Sequence, residues 1–175
     1  MSTKMIVDAI LSPKRAAAVT FRDEEFEKVG LELKNQIDRI FGRSLAIREV
    51  DSGSDNAVEI ELNNLSTPHY DVERFGISFV ASPRHADVIV ITGAVTLAMA
   101  EAARKTYEAM PQPGWVVAVG DDACGTGLLT DSYAVLGSAD KVLPVDFKIP
   151  GNPPSPIEIM RGLLAFISAI RRQPK

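Results

Sequence analysis

The 175-residue chain is 46% hydrophobic and 24% charged, which excludes a disordered or fibrous protein and fits one domain with at most a terminal arm. A net charge of -4 excludes a general nucleic-acid binder, which needs a basic excess to neutralise phosphates. One cysteine, Cys124, and two histidines exclude a disulfide framework and any four-ligand zinc or iron–sulfur site built from Cys and His alone.

Residues 5–11 are apolar but closed by Pro13, too short for an ordinary signal-peptide core. The longest apolar stretch, 157–170, is interrupted by Glu158 and Arg161, so a core helix is expected there and not a membrane span. A soluble protein of a reducing compartment is the expectation. The charge is concentrated in residues 1–43. Within them Phe26, Val29, Leu33, Ile37, Ile40 and Phe41 recur at steps of three and four, which predicts an amphipathic helix over 21–41. Thr20 and Asp23 offer its cap and Gly42 its stop. Such a helix either lies on its own domain or serves as a partner-binding arm, and the boundary is placed between an arm, 1–43, and a domain, 44–175.

From Ser44 onward strands alternate with helices. SLAIREV (44–50) and residues 77–81 read as strands, and ADVIVIT (86–92) is the β-branched run of a strand buried on both faces. A helix is predicted over 97–110, capped by Thr96, supported by Glu101 and Lys105 and ended by Pro111. Residues 115–119 and 141–145 read as further strands. Ser155, Pro156 and Glu158 combine an N-cap, a first-turn proline and a capping-box carboxylate at the head of the last helix. Residues 58–65 fit a strand or a helix equally. The pattern predicts a three-layer α/β domain, a mostly parallel flavodoxin-like sheet with helices on both faces.

In such a sheet function belongs to the loops at the carboxyl ends of the strands: here 51–56, 93–96, 120–127 and 150–154, all rich in Gly, Ser, Asp or Pro. None carries GxxxxGK[ST] or GxGxxG, and HExxH and GxSxG are missing as well. His69 and His85 lack a nucleophile partner and read as surface or structural residues.

Residues 74–96 (RFGISFVASPRHADVIVITGAVT), 109–121 (AMPQPGWVVAVGD), 132–135 (SYAV) and 141–156 (KVLPVDFKIPGNPPSP) carry a likeness over about residues 44–170. Together they resemble the small electron-transfer subunit shared by membrane-bound [NiFe] hydrogenases and complex I, where it is the 20 kDa subunit. EVDSGSDNAVEIE (49–61) is closer to the hydrogenase branch, with its CxxC spacing. The resemblance implies a helix at 58–65 and one [4Fe–4S] cluster on four cysteines. Those positions fall on Asp55, Val58, Asp122 and Asn152, and Cys124 stands two residues beyond the third. Aspartate replaces a thiolate only exceptionally and valine contributes no ligand, so the expectation is a lost cluster and no cofactor. Arg74, Arg84 and Cys124 are candidate cavity or interface residues. The vacated site is open to a salt bridge or water, a divalent cation, or a proton-handling acid pair. Asp55 also fits a plain helix cap, and Asn152 a plain turn.

The implied partners are a large-subunit homologue, membrane-arm subunits and a ferredoxin-like subunit, at the cytoplasmic face of the cell membrane. Three functions stay open: a cluster-free docking subunit, catalytically silent by itself; an oxidoreductase subunit with an atypically ligated cluster or part of a quinone site; and an independent flavodoxin-like module. Against the last stands the lack of a phosphate fingerprint.

Overall fold

A computed structural model describes residues 23–172. The cap residue Thr20 and the apolar stretch 5–11 lie outside them. The first helix, α1 (Glu24–Phe41), starts at Asp23, whose carboxylate accepts the N–H groups of Glu25 and Phe26 at 3.1 Å each. It ends at Gly42 in the left-handed conformation (φ +63°) that glycine adopts without a Cβ penalty. Phe26, Leu33 and Ile37 of its apolar face are buried in the same core cluster as Phe75, Trp115 and Phe166. Each side chain so buried contributes roughly 1.5–3 kcal/mol. The apolar face of α1 is therefore covered by its own domain.

Five parallel strands follow: β1 (Leu45–Asp51), β2 (Ile77–Phe79), β3 (Val88–Thr92), β5 (Trp115–Val119) and β7 (Phe147–Ile149). They lie in the order β2-β1-β3-β5-β7, with register Val50↔Ile91, Ile91↔Ala118 and Ala118↔Lys148. This is the flavodoxin-like order, and the sheet order reverses between β1 and β3. Alternate residues of each central strand enter opposite layers. Val88, Val90, Val117 and Val119 pack with α1, α2 (Ala57–Leu65) and α5 (Pro156–Arg172). Ile89, Ile91, Val116 and Ala118 pack with α3 (Ala100–Glu108) and Leu143. The three-layer α/β expectation holds, and α2 resolves the ambiguity at 58–65 as a helix.

The last helix begins as expected: Glu158 accepts hydrogen bonds from both the N–H (2.8 Å) and the hydroxyl (2.6 Å) of Ser155. Three expectations need correction. The helix expected from 97 begins only at Ala100, because Val95–Thr96 forms a short strand, β4, antiparallel to β6 (Val135–Gly137). The Thr96 hydroxyl caps no helix; it donates to the Ser52 carbonyl at 3.1 Å and accepts the Met99 N–H at 3.3 Å. The strand expected at 141–145 is displaced to 147–149. Pro144 brings no N–H to a ladder, and the turn Ala139–Lys141 occupies the approach.

Candidate functional site

The loops leaving β1, β3, β5 and β7 meet at one end of the sheet. The β1–α2 loop is folded by Asp51, whose carboxylate accepts the N–H groups of Gly53 and Ser54 at 2.9 Å each. Ser52 is fully buried and its hydroxyl donates to the Thr92 carbonyl at 2.8 Å, tying this loop to the end of β3. Across the site, the α4 turn (Asp121–Cys124) is tied to the β7–α5 loop. The Asp121 N–H donates to the Gly151 carbonyl and the Asp121 carboxylate accepts the Gly151 N–H, both at 2.8 Å.

Val58 closes the junction. It is 6% exposed, and a Cβ built on Gly120 falls 2.6 Å from its Cγ2 and 3.7 Å from the Gly151 carbonyl oxygen. Val58 thus meets the turn at Gly120, which the β7–α5 loop approaches through Gly151. Asp55 is exposed and its carboxylate accepts the Ala57 N–H at 3.0 Å, a cap-like contact at the start of α2. Asp122 accepts the Leu129 N–H at 3.0 Å and lies against Gly127. Asn152 is exposed in the turn before Pro153. The loops of the four positions are brought together, while both carboxylates are hydrogen-bonded within their own loops. Among the described residues no three His, Cys, Asp or Glu side chains are grouped to hold a metal ion. A [4Fe–4S] cluster takes four thiolates. A valine, an amide and two carboxylates already accepting backbone hydrogen bonds do not fit it.

Cys124 is half-buried, with its Sγ 3.7 Å from the Ala118 carbonyl. Burial pushes its thiol up to about 11, against the opposing pull of the Lys148 ammonium. Lys148 itself is held by Asp140 at 2.6 Å and by the Cys124 carbonyl at 3.0 Å. A thiol so protonated is a poor nucleophile. Alkylation of Cys124 by iodoacetamide should stay slow through neutral pH and accelerate only toward about 11, followed by mass spectrometry. A midpoint near the ordinary thiol value would contradict this burial.

The two arginines stand elsewhere. Arg74 precedes β2 at the amino end of the sheet, paired with Glu27 at 2.5 Å and stacked over Phe75 at 4.4 Å. Arg84 is exposed in the turn Pro83–His85 that leads into β3. His85 shares that turn, and His69, also exposed, stands edge-on to Tyr70 at 4.6 Å between ring centres.

Sequence reasoning missed two features. Glu59 is 6% exposed beneath the β1–α2 loop; its carboxylate accepts the Thr92 hydroxyl and, at 2.5 Å, the Ser54 hydroxyl. The second is an exposed apolar patch. Leu97 is hydrogen-bonded to Ala134 beside β6, whose Leu136 is 38% exposed. The turn Leu128–Asp131 packs on the same strand, with Leu128 94% and Tyr133 98% exposed. It adjoins the site through the contact of Asp122 with Leu129.

The profile of the family described as NADH ubiquinone oxidoreductase, 20 Kd subunit, matches residues 56–166. Among solved structures, the chain is similar to one from "Structure of the membrane-bound sulfane sulfur reductase (MBS), an archaeal respiratory membrane complex". The identity is 34%, the TM-score 0.67, and the match covers 82% of this chain and 77% of that one. No described helix is long and apolar enough to cross a membrane. With the family profile spanning most of the chain and the fold agreeing, the protein belongs to the NADH ubiquinone oxidoreductase 20 Kd subunit family.

Proposed function

We propose that the protein is a cluster-free docking subunit of a membrane-bound respiratory complex of the hydrogenase or complex I type. It pairs with a large-subunit homologue and sits at the cytoplasmic face of an ion- or proton-translocating membrane arm. The observation that carries this reading is Val58, a buried hydrocarbon that meets the turn at Gly120. Membership of the family and likeness to a chain of an archaeal membrane complex support the assembly. The scaffold at the junction is kept: Asp121 and Gly151 hold each other, and α5 is firmly capped. Next to the exposed Asp55 and Asn152 it presents an apolar patch. Leu128 and Tyr133 are almost wholly exposed on the segment whose Leu129 N–H bonds Asp122, and they are the kind of side chains that anchor a protein interface once desolvated.

The test is iron and acid-labile sulfide, with the visible spectrum, on protein purified anaerobically with its partners. The expected result is no iron assignable to this subunit while the partners are retained. About four irons per copy, after those of any iron–sulfur partner are counted, would overturn the reading and favour an atypically ligated electron-transfer subunit.

A further inference from the structure

Strand β1 carries an arginine without a counter-ion. Arg43, Arg74, Arg104 and Arg161 each lie within 4.0 Å of a carboxylate oxygen. Arg39 and Arg84 are exposed, where water satisfies a guanidinium. Arg48 is half-buried, and its Nε–H is shut off from water and meets no acceptor among the described residues. It is the one buried side-chain donor so left among them. A buried donor without an acceptor forfeits its hydration for nothing, so nearly every such group in a folded protein is met by protein, water or an ion.

The end of β2 explains why nothing in the chain reaches Arg48. β2 pairs with β1 only as far as Ile47↔Phe79, and the Val80 N–H makes the last bond to that edge, on the Ile47 carbonyl at 2.8 Å. Beyond it the chain turns away through Pro83–His85. The rest of β1 is left with an open edge, and a cleft of about 250 Å³ forms there. Arg48, Glu49, Asn63 and Ser66 line it with polar groups, Leu62 and Phe79 with hydrocarbon and a ring. None of Asp55, Val58, Asp122 and Asn152 lines it.

We infer that this cleft binds a small organic monocarboxylate, with Arg48 as its counter-ion. The class follows from the lining. A guanidinium is a rigid fork of donors, and its Nε–H with a neighbouring Nη–H matches the two oxygens of a carboxylate. The Asn63 amide and the Ser66 hydroxyl supply further donors. Glu49 limits the charge: it shares the cleft without an ion pair to Arg48, so a second negative charge on the ligand would be repelled. Sulfate and phosphate dianions are therefore disfavoured. Leu62 and Phe79 give a hydrocarbon tail its wall, and the volume restricts that tail to a few carbons.

The experiment follows the Arg48 Nε–H resonance of the 15N-labelled full chain during titration with sodium butyrate, against sodium chloride at equal ionic strength. Butanol is the uncharged comparison and sodium sulfate the dianionic one. The expected result is a saturable shift with butyrate, a weaker response to sulfate and none to chloride or butanol. Arg48→Met keeps the aliphatic stem and removes the fork; read from the Asn63 and Phe79 amides, butyrate binding should weaken about tenfold or more. Arg84→Met, on the exposed turn, should leave binding unchanged. Should Arg48→Met fail to fold, Arg48→Lys keeps the charge without the fork and should still bind more weakly than wild type. A flat or unsaturable butyrate titration of the wild type would sink the site and leave the Nε–H to a trapped water or a partner's side chain. An equal response to butanol, or undiminished binding in the Arg48 variants, would overturn it as well.

Discussion

Replacing Gly93 with alanine should lower the stability of the domain by about 3 kcal/mol or more, a fall in Tm of roughly 6–12 °C. Gly93 has φ +71°, a conformation strained for any residue with a Cβ. A Cβ there would also lie 2.4 Å from the Ser54 N and 2.5 Å from the Ser54 Cα. Those are backbone atoms, so relief requires the whole β1–α2 loop to lift from β3. Lifting it strips the Ser52 hydroxyl from the Thr92 carbonyl and the Ser54 hydroxyl from Glu59, leaving a buried carboxylate short of a donor. The control is Gly42→Ala. Gly42 has a similar φ, +63°, but nothing within 4 Å of its built Cβ, so only the conformational cost of about 1 kcal/mol remains. Thermal and urea unfolding of the two variants separate collision from backbone strain. Equal losses would mean that the loop yields freely and that its seat on Gly93 matters little.

The parts of this architecture legible in sequence are those whose determinants are local. β3 and β5 announce themselves as runs buried on both faces, Val88 and Val90 to one layer and Ile89 and Ile91 to the other. α5 is announced by Ser155 and Glu158, three residues apart and bonded to each other. What escaped was decided at a distance. β4 and β6 are two and three residues long, too short for a period, and exist because Val95 and Gly137 meet across the fold. β7 is set by pairing with Val117 to Val119 and not by its own composition, which is no more strand-like than that of the residues before it. In α2, Glu59 and Glu61 look alike in sequence. Only the arrival of Thr92 over the helix distinguishes the buried one. The resemblance points to Asp55, Val58, Asp122 and Asn152, but whether Asp55 and Asp122 face each other or their own backbones depends on the turns at Asn56 and Gly127, which no motif encodes.

The double substitution Leu128→Asp with Tyr133→Asp should abolish co-purification of the partner while leaving the fold intact. Both side chains are almost entirely exposed in the isolated chain, so charging them should change folding stability by no more than about 0.5 kcal/mol per site. In a complex the balance reverses. A leucine buried at an interface contributes roughly 1.5–3 kcal/mol, and an anchoring tyrosine costs about 2 kcal/mol or more when removed. A carboxylate in place of either adds a desolvation penalty that no described neighbour offsets. Affinity should therefore fall on the order of 100-fold or more, since each 1.4 kcal/mol is a factor of ten. Leu31→Asp is the matched control: that leucine is 56% exposed on α1, in the helical layer and away from β6. The measurement is partner recovery on a tagged copy of the full chain, alongside thermal unfolding of the same preparation. Retention of the partner by the double variant, with loss in Leu31→Asp, would move the docking face from β6 and the turn Leu128–Asp131 to the outer side of α1. That outcome would return the amphipathic helix to the role of partner-binding arm, acting through its polar face because its apolar face is covered by the core.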